Sequence, residues 1–171
     1  LADPLVHLLR NSADHGIEPP QVRAAAGKPA LGTIRLRAEH QGSHVRVEIT
    51  DDGKGLDRDV LGRKAVEKGL ATAEQVAGMS EAQVFQFIFA AGFSTADKVS
   101  DLSGRGVGMD VVKTNIAKMG GMLNLRSVKG QGTTIEILIP LTVAIMPAMV
   151  VGIGKHLYAI PLTAITEIVR P

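Results

Sequence analysis

The sequence contains no cysteine and no tryptophan, and its other aromatic residues are one Tyr and four Phe. Without cysteine, the chain cannot hold a disulfide framework, a thiolate zinc site, an iron–sulfur centre or a thiol nucleophile. So few aromatic rings argue against the stacking platforms that bind single-stranded nucleic acid. A formal net charge of +2 is too small to indicate a polyanionic partner. These absences leave carboxylates, amides, imidazoles and the backbone as the main sources of chemistry.

The sequence also lacks a long apolar run and a visible secretory signal. Its longest apolar stretch, residues 141–153, contains Pro147 and Gly152 and is shorter than the ~20 residues that a membrane-spanning helix needs. We therefore expect a cytoplasmic protein without direct membrane insertion. Leu1 is not a translation start and residues 165–170 still alternate like a strand, so we expect the chain to be a fragment of a longer protein.

The pattern of apolar and polar residues predicts an α+β protein. Asp3-Pro4 and the apolar stripe after it predict a first helix that ends near His15, where Gly16 stops it. A loop at 19–32 and a hairpin of strands 33–39 and 45–50 follow, and then helices at 58–68, 73–77 and 81–89. The N-caps of these three helices are Asp57, Thr72 and Ser80. The remaining segments are a polar loop at 92–108, a helix at 107–118 and a hairpin of strands 122–128 and 133–139. We expect a two-layer α/β sandwich with helices on one face of a mixed sheet, an antiparallel sheet being the alternative.

After Pro140 the composition changes to residues rich in Val, Ile and Met. Residues 143–153 and 156–160 predict a further hairpin, joined by Gly154-Lys155. We therefore divide the chain into a first domain at 1–140 and the incomplete beginning of a second, β-rich domain at 141–171.

The first predicted helix carries a polar face. His7, Asn11 and His15 follow one another at intervals of four residues and so lie on one side of a helix, with Asp14 beside them. A solvated surface explains this pattern as well as a site does. A zinc site is excluded, because His7 and His15 are two turns or ~12 Å apart, whereas Zn–N bonds are ~2.0–2.1 Å long. An amide oxygen with a neutral imidazole one turn earlier suits oxygen-ligated Mg²⁺ and a polarised nucleophile better.

Asp51, Gly53 and Gly55 form a second cluster at the end of a predicted strand. A carboxylate there can accept a hydrogen bond from an amino group, while the glycines let the backbone approach a flat ligand closely. An ordinary Asp-Gly turn is the alternative.

Two further clusters are rich in glycine. Gly104-Arg105-Gly106-Val107-Gly108-Met109 opens a helix, where backbone N–H groups and the helix dipole can hold phosphate oxygens, although a flexible loop remains the alternative. Neither the dinucleotide-binding fingerprint nor the P-loop motif fits this stretch, because Met109 stands where the former needs Gly or Ala and no Gly-Lys-Ser/Thr occurs. Residues 130–134 are a hairpin turn by default, whose threonine hydroxyls can also reach a polar ligand edge.

The order of these clusters resembles the GHKL, or Bergerat-fold, ATP-binding proteins, which include histidine kinases, gyrase B-type ATPases, Hsp90 and the MutL proteins. The resemblance covers residues 1–140. Three local strings, 7–18, 89–96 and 104–112, look like those of the CheA family of chemotaxis histidine kinases. The segment 159–162 resembles the start of the CheW-like, SH3-type regulatory domain that follows the kinase domain in that family.

The resemblance implies that the site binds ATP with Mg²⁺ and assigns a role to each cluster. Asp51 would accept from the adenine amino group, and Gly53 and Gly55 would let the base lie close. Asn11 would ligate Mg²⁺ and act as a catalytic residue together with His7 beside the γ-phosphate. The other implied nucleotide contacts are Asp14, His15, Gly104, Arg105, Gly106, Val107, Gly108, Met109, Thr133 and Thr134, with Lys98 as a further cation near the phosphates.

The activity implied by the resemblance is that of a protein-histidine kinase. The γ-phosphoryl group of ATP would pass to a histidine on a separate phosphotransfer domain, because none of the five His lies in a sequence resembling the acceptor helix. The implied partners are that domain, a CheW-type adaptor and chemoreceptors bound through the CheW-like domain, and a second full-length copy. Nucleic acid is not among them.

Two alternatives remain open. One is a GHKL ATPase of the gyrase, Hsp90 and MutL class, although such proteins usually carry Glu where this sequence has His7, and an imidazole favours transfer over hydrolysis. The other is an inactive scaffold that presents the β-rich domain to a CheW-type adaptor.

Overall fold

A computed structural model describes residues 2–93, 108–141 and 148–167 of the chain. The chain divides into two compact units, Leu1–Pro140 and Leu141–Pro171. No helix in the described ranges is both long and apolar enough to cross a bilayer.

The first unit is built on a four-stranded sheet in the order β1-β2-β4-β3. Both predicted hairpins are present, and their second strands pair with each other at the centre of the sheet. Every pairing in the described part of this sheet is antiparallel, so the sheet is antiparallel instead of mixed. The strands are β1 Ile34–Gln41, β2 His44–Asp51, β3 Met122–Val128 and β4 Gly132–Pro140.

Helices cover one face of this sheet, as the α+β prediction requires. Three of the predicted N-caps are confirmed: the Asp57 carboxylate accepts from the Asp59 and Val60 N–H groups, and Thr72 and Ser80 form capping boxes. The helices are α1 Ala2–Asn11, a π-helical turn Ser12–Gly16, α2 Pro20–Ala25, α3 Arg58–Glu67, α4 Ala73–Gly78, α5 Glu81–Phe85, a 3₁₀ turn Gln86–Phe89, and α6 Met109–Lys118.

Two segments differ from the sequence prediction. The predicted loop at 19–32 contains the short helix α2, which Pro20 starts and in which Arg23 is buried. The first helix does not continue as an α-helix to His15, because Asn11 is followed by the π-helical turn, in which the Ile17 N–H donates to the Ser12 carbonyl at 2.9 Å. Ser12, the first residue of this turn, is buried.

The core of the first unit lies between the helices and one face of the sheet. The alternation of the strands places odd-numbered residues of β2, β3 and β4 on this face, Val47, Ile49 and Ile137 among them. The opposite face is polar and carries Arg46 amid carboxylates. Asp51 therefore lies on the helix-covered face, at the end of β2. The buried apolar side chains that the helices and their connections contribute are Leu8, Leu61, Ala65, Val84, Phe85, Phe89, Phe93, Val112 and Ile116.

The described part of the second unit is an antiparallel hairpin of β5 Ala148–Ile153 and β6 His156–Pro161. The predicted turn at Gly154-Lys155 is confirmed, with Ile153 paired to His156 across it. A 3₁₀ turn, Leu162–Ala164, follows. The SH3-like identity of this segment stays a prediction.

Candidate functional site

The carboxylate of Asp51 is buried and held in one orientation. Its side chain, on a residue only 5% exposed, accepts three hydrogen bonds from three parts of the chain. Oδ1 accepts from the Gly53 N–H at 3.0 Å and the Thr133 N–H at 3.3 Å, and Oδ2 accepts from the Ser12 hydroxyl at 3.1 Å. Because neither backbone donor can turn away, the carboxylate is a pre-oriented hydrogen-bond acceptor.

The sheet register separates the two threonines of the fourth cluster. Thr133 pairs with Asp51 across the sheet and shares its face, and its hydroxyl lies 2.9 Å from that of Ser127. Thr134 pairs with Thr50 on the opposite face, where their hydroxyls are 3.2 Å apart. The structure therefore brings Thr133 to the site and places Thr134 away from Asp51.

Glycine is required around Asp51 because backbone segments approach one another closely. A Cβ added at Gly53 would lie 2.2 Å from the Gly16 carbonyl oxygen and 2.9 Å from Asp51 Oδ1. One added at Gly132 would lie 1.9 Å from the Asp51 carbonyl oxygen, at a φ of +121° that favours glycine. A Cβ added at Gly55 would lie 2.2 Å from the Val128 carbonyl oxygen. The glycines thus pack this loop against the chain, whether or not a flat ligand also lies against them.

Gly53→Ala is expected to destabilise the fold by about 1–3 kcal/mol, since backbone atoms must move to admit the methyl group. The same movement should weaken the binding of any ligand at the Asp51 carboxylate, because the Gly53 N–H donates to that carboxylate. Gly78→Ala is the matched control: its added Cβ meets no atom within 4 Å. Chemical denaturation and calorimetry would measure both effects, and equal stability of the two variants would contradict the contact described.

Asn11 and Met109 connect the polar first helix to the start of α6. The Asn11 side-chain N–H group donates to the Met109 sulfur at 2.9 Å, with the two residues at the end of α1 and the beginning of α6. Gly108 is the N-cap of α6 and offers no side-chain cap, and its carbonyl accepts from the Val111 N–H at 3.1 Å. Within the described residues, the Met109 and Asp110 N–H groups therefore remain available to an anion. Met109, the last residue of the third cluster, therefore lies against Asn11 of the first.

The donor set around Asn11 suits a cation that is shared with a phosphate. Its amide oxygen is not engaged by any hydrogen-bond donor in the described residues, whereas its nitrogen is used by Met109. Nowhere in the same ranges do three or more His, Asp or Glu side chains cluster as metal ligands. Mg²⁺ commonly binds through one or two protein oxygens and completes its shell with phosphates and water. The residues present fit such an ion.

His7 is half-buried on α1, one turn before Asn11. Burial lowers its pKa, and electrostatic effects of Arg10 and of His15 lower it further. The imidazole is therefore neutral at pH 7 and has a lone pair available for accepting a proton or a hydrogen bond. Asp14 and His15 are exposed and lie in the π-helical turn that follows Asn11. Their place on one polar face with His7 and Asn11 stays a prediction.

Sequence reasoning missed several residues that hold this site. Ser12 is buried and donates to Asp51. Ser127 donates to the Gly132 carbonyl at 2.9 Å and accepts from the Leu56 N–H. Arg23 is completely buried. The segment after Gly16 contained one usable signal, an Arg in a short helix whose other residues are uncharged. The remaining predicted contacts, Lys98, Gly104, Arg105, Gly106 and Val107, lie outside the described residues.

Comparison with known proteins extends these observations. A family model described as histidine kinase-, DNA gyrase B-, and HSP90-like ATPase matches residues 1–143. The sensor histidine kinase CheAY of Helicobacter pylori is 51% identical over 99% of this chain and 21% of its own length. Chemotaxis protein CheA of Klebsiella aerogenes is 51% identical over 100% of this chain and 26% of its own. The chain thus spans about a quarter of the length of these relatives.

Among solved structures, the histidine kinase domain of the Erythrobacter litoralis EL346 blue-light activated histidine kinase aligns with 81% of this chain and 42% of its own. The sequence identity is 20% and the TM-score is 0.44. At that TM-score the alignment adds nothing to what the sequence relatives indicate.

Proposed function

The chain belongs to the histidine kinase-, DNA gyrase B-, and HSP90-like ATPase family, and we propose that it is the ATP-binding catalytic part of a chemotaxis histidine kinase. ATP is the nucleotide that proteins of this family bind. The proposed reaction is transfer of the γ-phosphoryl group to a histidine on a separate phosphotransfer domain. One observation carries the proposal: the buried Asp51 carboxylate, held by three donors at the end of β2.

The adenine end of the proposed site is formed by Asp51. An adenine presents an amino donor where guanine presents an oxygen acceptor, so a fixed carboxylate binds the first and repels the second. With Oδ1 occupied by two backbone N–H groups, Oδ2 has the greater capacity to accept from the base. Thr133, Gly53 and Gly55 would border the base.

The phosphate end would lie between α1 and the start of α6. The Asn11 amide oxygen would hold Mg²⁺, and the first N–H groups of α6 would hold phosphate oxygens. When bound, Mg²⁺ neutralises charge on the phosphate oxygens of the transition state. Gly108 and Met109 begin this helix, and the glycines at 104 and 106 would extend the phosphate contacts.

The neutral imidazole of His7 favours transfer over hydrolysis. A carboxylate at this position would place a negative charge that attracts a proton of the attacking water, whereas a neutral imidazole, whose pKa burial lowers, orients an attacking group without that charge. In the proposed step, a ring nitrogen of the acceptor histidine bonds to the γ-phosphorus while the bond from phosphorus to the β,γ-bridging oxygen breaks. ADP leaves with that oxygen, and the acceptor imidazole loses its proton to solvent or a nearby base.

The remaining parts of the proposal concern the longer protein. The second unit would begin a CheW-like, SH3-type domain that binds a CheW-type adaptor and chemoreceptors, and a further domain would join two copies. We place this activity in the cytoplasm. Support comes from the names of the relatives, of which the chain spans about a quarter.

The test is incubation of this chain with Mg²⁺ and γ-labelled ATP, with and without an added histidine phosphotransfer domain. We expect acid-labile label on the added domain and none on the chain itself. Label on this chain would contradict the separation of kinase and acceptor. Fast phosphate release without transfer would favour the gyrase and Hsp90 class, and an absence of Mg-ATP binding by calorimetry would favour the inactive scaffold.

A further inference from the structure

A completely buried arginine contacts Asp52, the residue that follows Asp51 at the end of β2. Arg23, on α2, has 0% of its surface exposed, and each of its five N–H donors is engaged. This guanidinium is not a solvated surface charge, because each of its N–H groups donates to a specific acceptor atom of the protein. The acceptors are the Pro29 carbonyl at 2.7 Å, Glu18 Oε2 at 3.1 Å, the Asp52 carbonyl at 3.1 Å, the Leu31 carbonyl at 3.4 Å and Asp52 Oδ2 at 2.9 Å.

Lys28 adds a second cation to the same place. Its ammonium donates to Glu18 Oε1 at 2.8 Å, to the Asp52 carbonyl at 3.0 Å and to the Gly53 carbonyl at 2.7 Å. Glu18 therefore bridges Lys28 and Arg23, one carboxylate oxygen to each. The two cations face two carboxylates, those of Glu18 and Asp52, so the cluster is electrically balanced.

Both carboxylates of this cluster are held ionised. The hydrogen bond from Lys28 is the largest influence that lowers the pKa of Glu18. Burial would raise the pKa of Asp52, but hydrogen bonds from the Thr33 N–H and Arg23, with the attraction of both cations, outweigh it and lower that pKa. The ion pairs are accordingly formed at neutral pH.

The cluster is joined to Asp51 through one peptide group. The Asp52 carbonyl and the Gly53 N–H belong to the same planar unit. Arg23 and Lys28 both donate to the carbonyl end, and the N–H end donates to Asp51 Oδ1. Fixing one end of a rigid plane fixes the other, and two cations on the carbonyl polarise the N–H that donates to the carboxylate.

We infer that Arg23 and Lys28 are positioning residues that set the orientation of the Asp51 carboxylate through the Asp52–Gly53 peptide. This inference deepens the proposed function and rests on it, since it takes Asp51 to be the adenine-binding group. Neither cation touches the nucleotide. Their loss should therefore weaken adenine recognition and leave the phosphoryl transfer step itself intact.

Lys28→Met tests this inference, because Lys28 is partly exposed and its loss leaves the Arg23 bonds in place to maintain the fold. The dissociation constant and KM for ATP should rise about ten-fold, as for the loss of hydrogen bonds from a charged donor. The transfer rate at saturating ATP should stay within about two-fold of wild type. Preference for ATP over GTP should fall, and Lys28→Arg should restore both affinity and preference.

Arg46→Met is the matched control. Arg46 pairs with Glu39, Glu48 and Glu136 on the polar face of the sheet. It lies five residues before Asp51 on β2, which corresponds to about 17 Å along the strand. Its loss should lower the free energy of unfolding while leaving the ATP dissociation constant and the purine preference unchanged. This control separates the cost of breaking an ion-pair cluster from an effect on the Asp52–Gly53 peptide.

The outcomes distinguish this inference from the proposed function. Unchanged ATP affinity and unchanged purine preference in Lys28→Met, with wild type binding Mg-ATP normally, would overturn the positioning role alone. A fall in the transfer rate at saturating ATP as large as the rise in KM would also overturn it. Failure of the wild-type chain to bind Mg-ATP would overturn the proposed function and the positioning role together.

Discussion

Asp51→Asn should weaken ATP binding by at least about 100-fold. The two backbone N–H groups of Gly53 and Thr133 require an acceptor at the Oδ1 position, so the amide oxygen of the new side chain must lie there. Its NH₂ group then replaces Oδ2 and meets the adenine amino group, donor against donor. The variant loses a charged hydrogen bond of about 1.5–3 kcal/mol and leaves a buried donor unpaired. Calorimetric titration with Mg-ATP measures the loss.

The fold should survive this substitution, because the Ser12 hydroxyl can turn and accept from the new NH₂ group. Asp59→Asn is the matched control, since Asp59 lies on α3 with its side chain 78% exposed and a single weak ion pair. It should bind ATP as wild type does. Normal ATP affinity in Asp51→Asn would contradict the assignment of Asp51 to adenine.

Asn11→Asp should lower the rate of phosphoryl transfer by about 100-fold or more, with a smaller effect on the dissociation constant of ATP. The substitution keeps an oxygen for Mg²⁺ but removes the N–H group that donates to the Met109 sulfur. It also adds a negative charge where phosphate oxygens would gather, beside the start of α6. Since positioning and charge stabilisation supply most of the catalysis in phosphoryl transfer, both changes act on the transition state.

Single-turnover transfer to an added phosphotransfer domain, at saturating Mg-ATP, would measure this effect. Asn115→Asp on α6 provides the control, because it makes the same chemical change beyond the first turn of that helix. It should transfer at the wild-type rate. An Asn11→Asp variant that transfers as fast as wild type would remove Asn11 from the catalytic machinery.

Local patterns were sufficient for most of the fold. The alternation of β1, β2, β3 and β4 depends on neighbours in sequence, and so do the caps at Asp57, Thr72 and Ser80. A hairpin brings its own strands together, so its register follows from its turn. Local patterns did not determine the antiparallel pairing of β2 with β4, because this pairing joins residues more than eighty positions apart.

The sequence by itself determined the chemical types at the site and their order along the chain: amide and imidazole first, then carboxylate with glycines, then the glycine-rich helix start. Only the tertiary structure decided which neighbours hold them. The π-helical turn directs Ser12 to Asp51, and the β2–β4 register places Thr133, and not Thr134, on the face of Asp51. Arg23 donates to the carbonyl of Asp52, the residue after Asp51. Each of these contacts joins residues that are distant in sequence, and periodicity carries no information about such pairs because only packing brings them together.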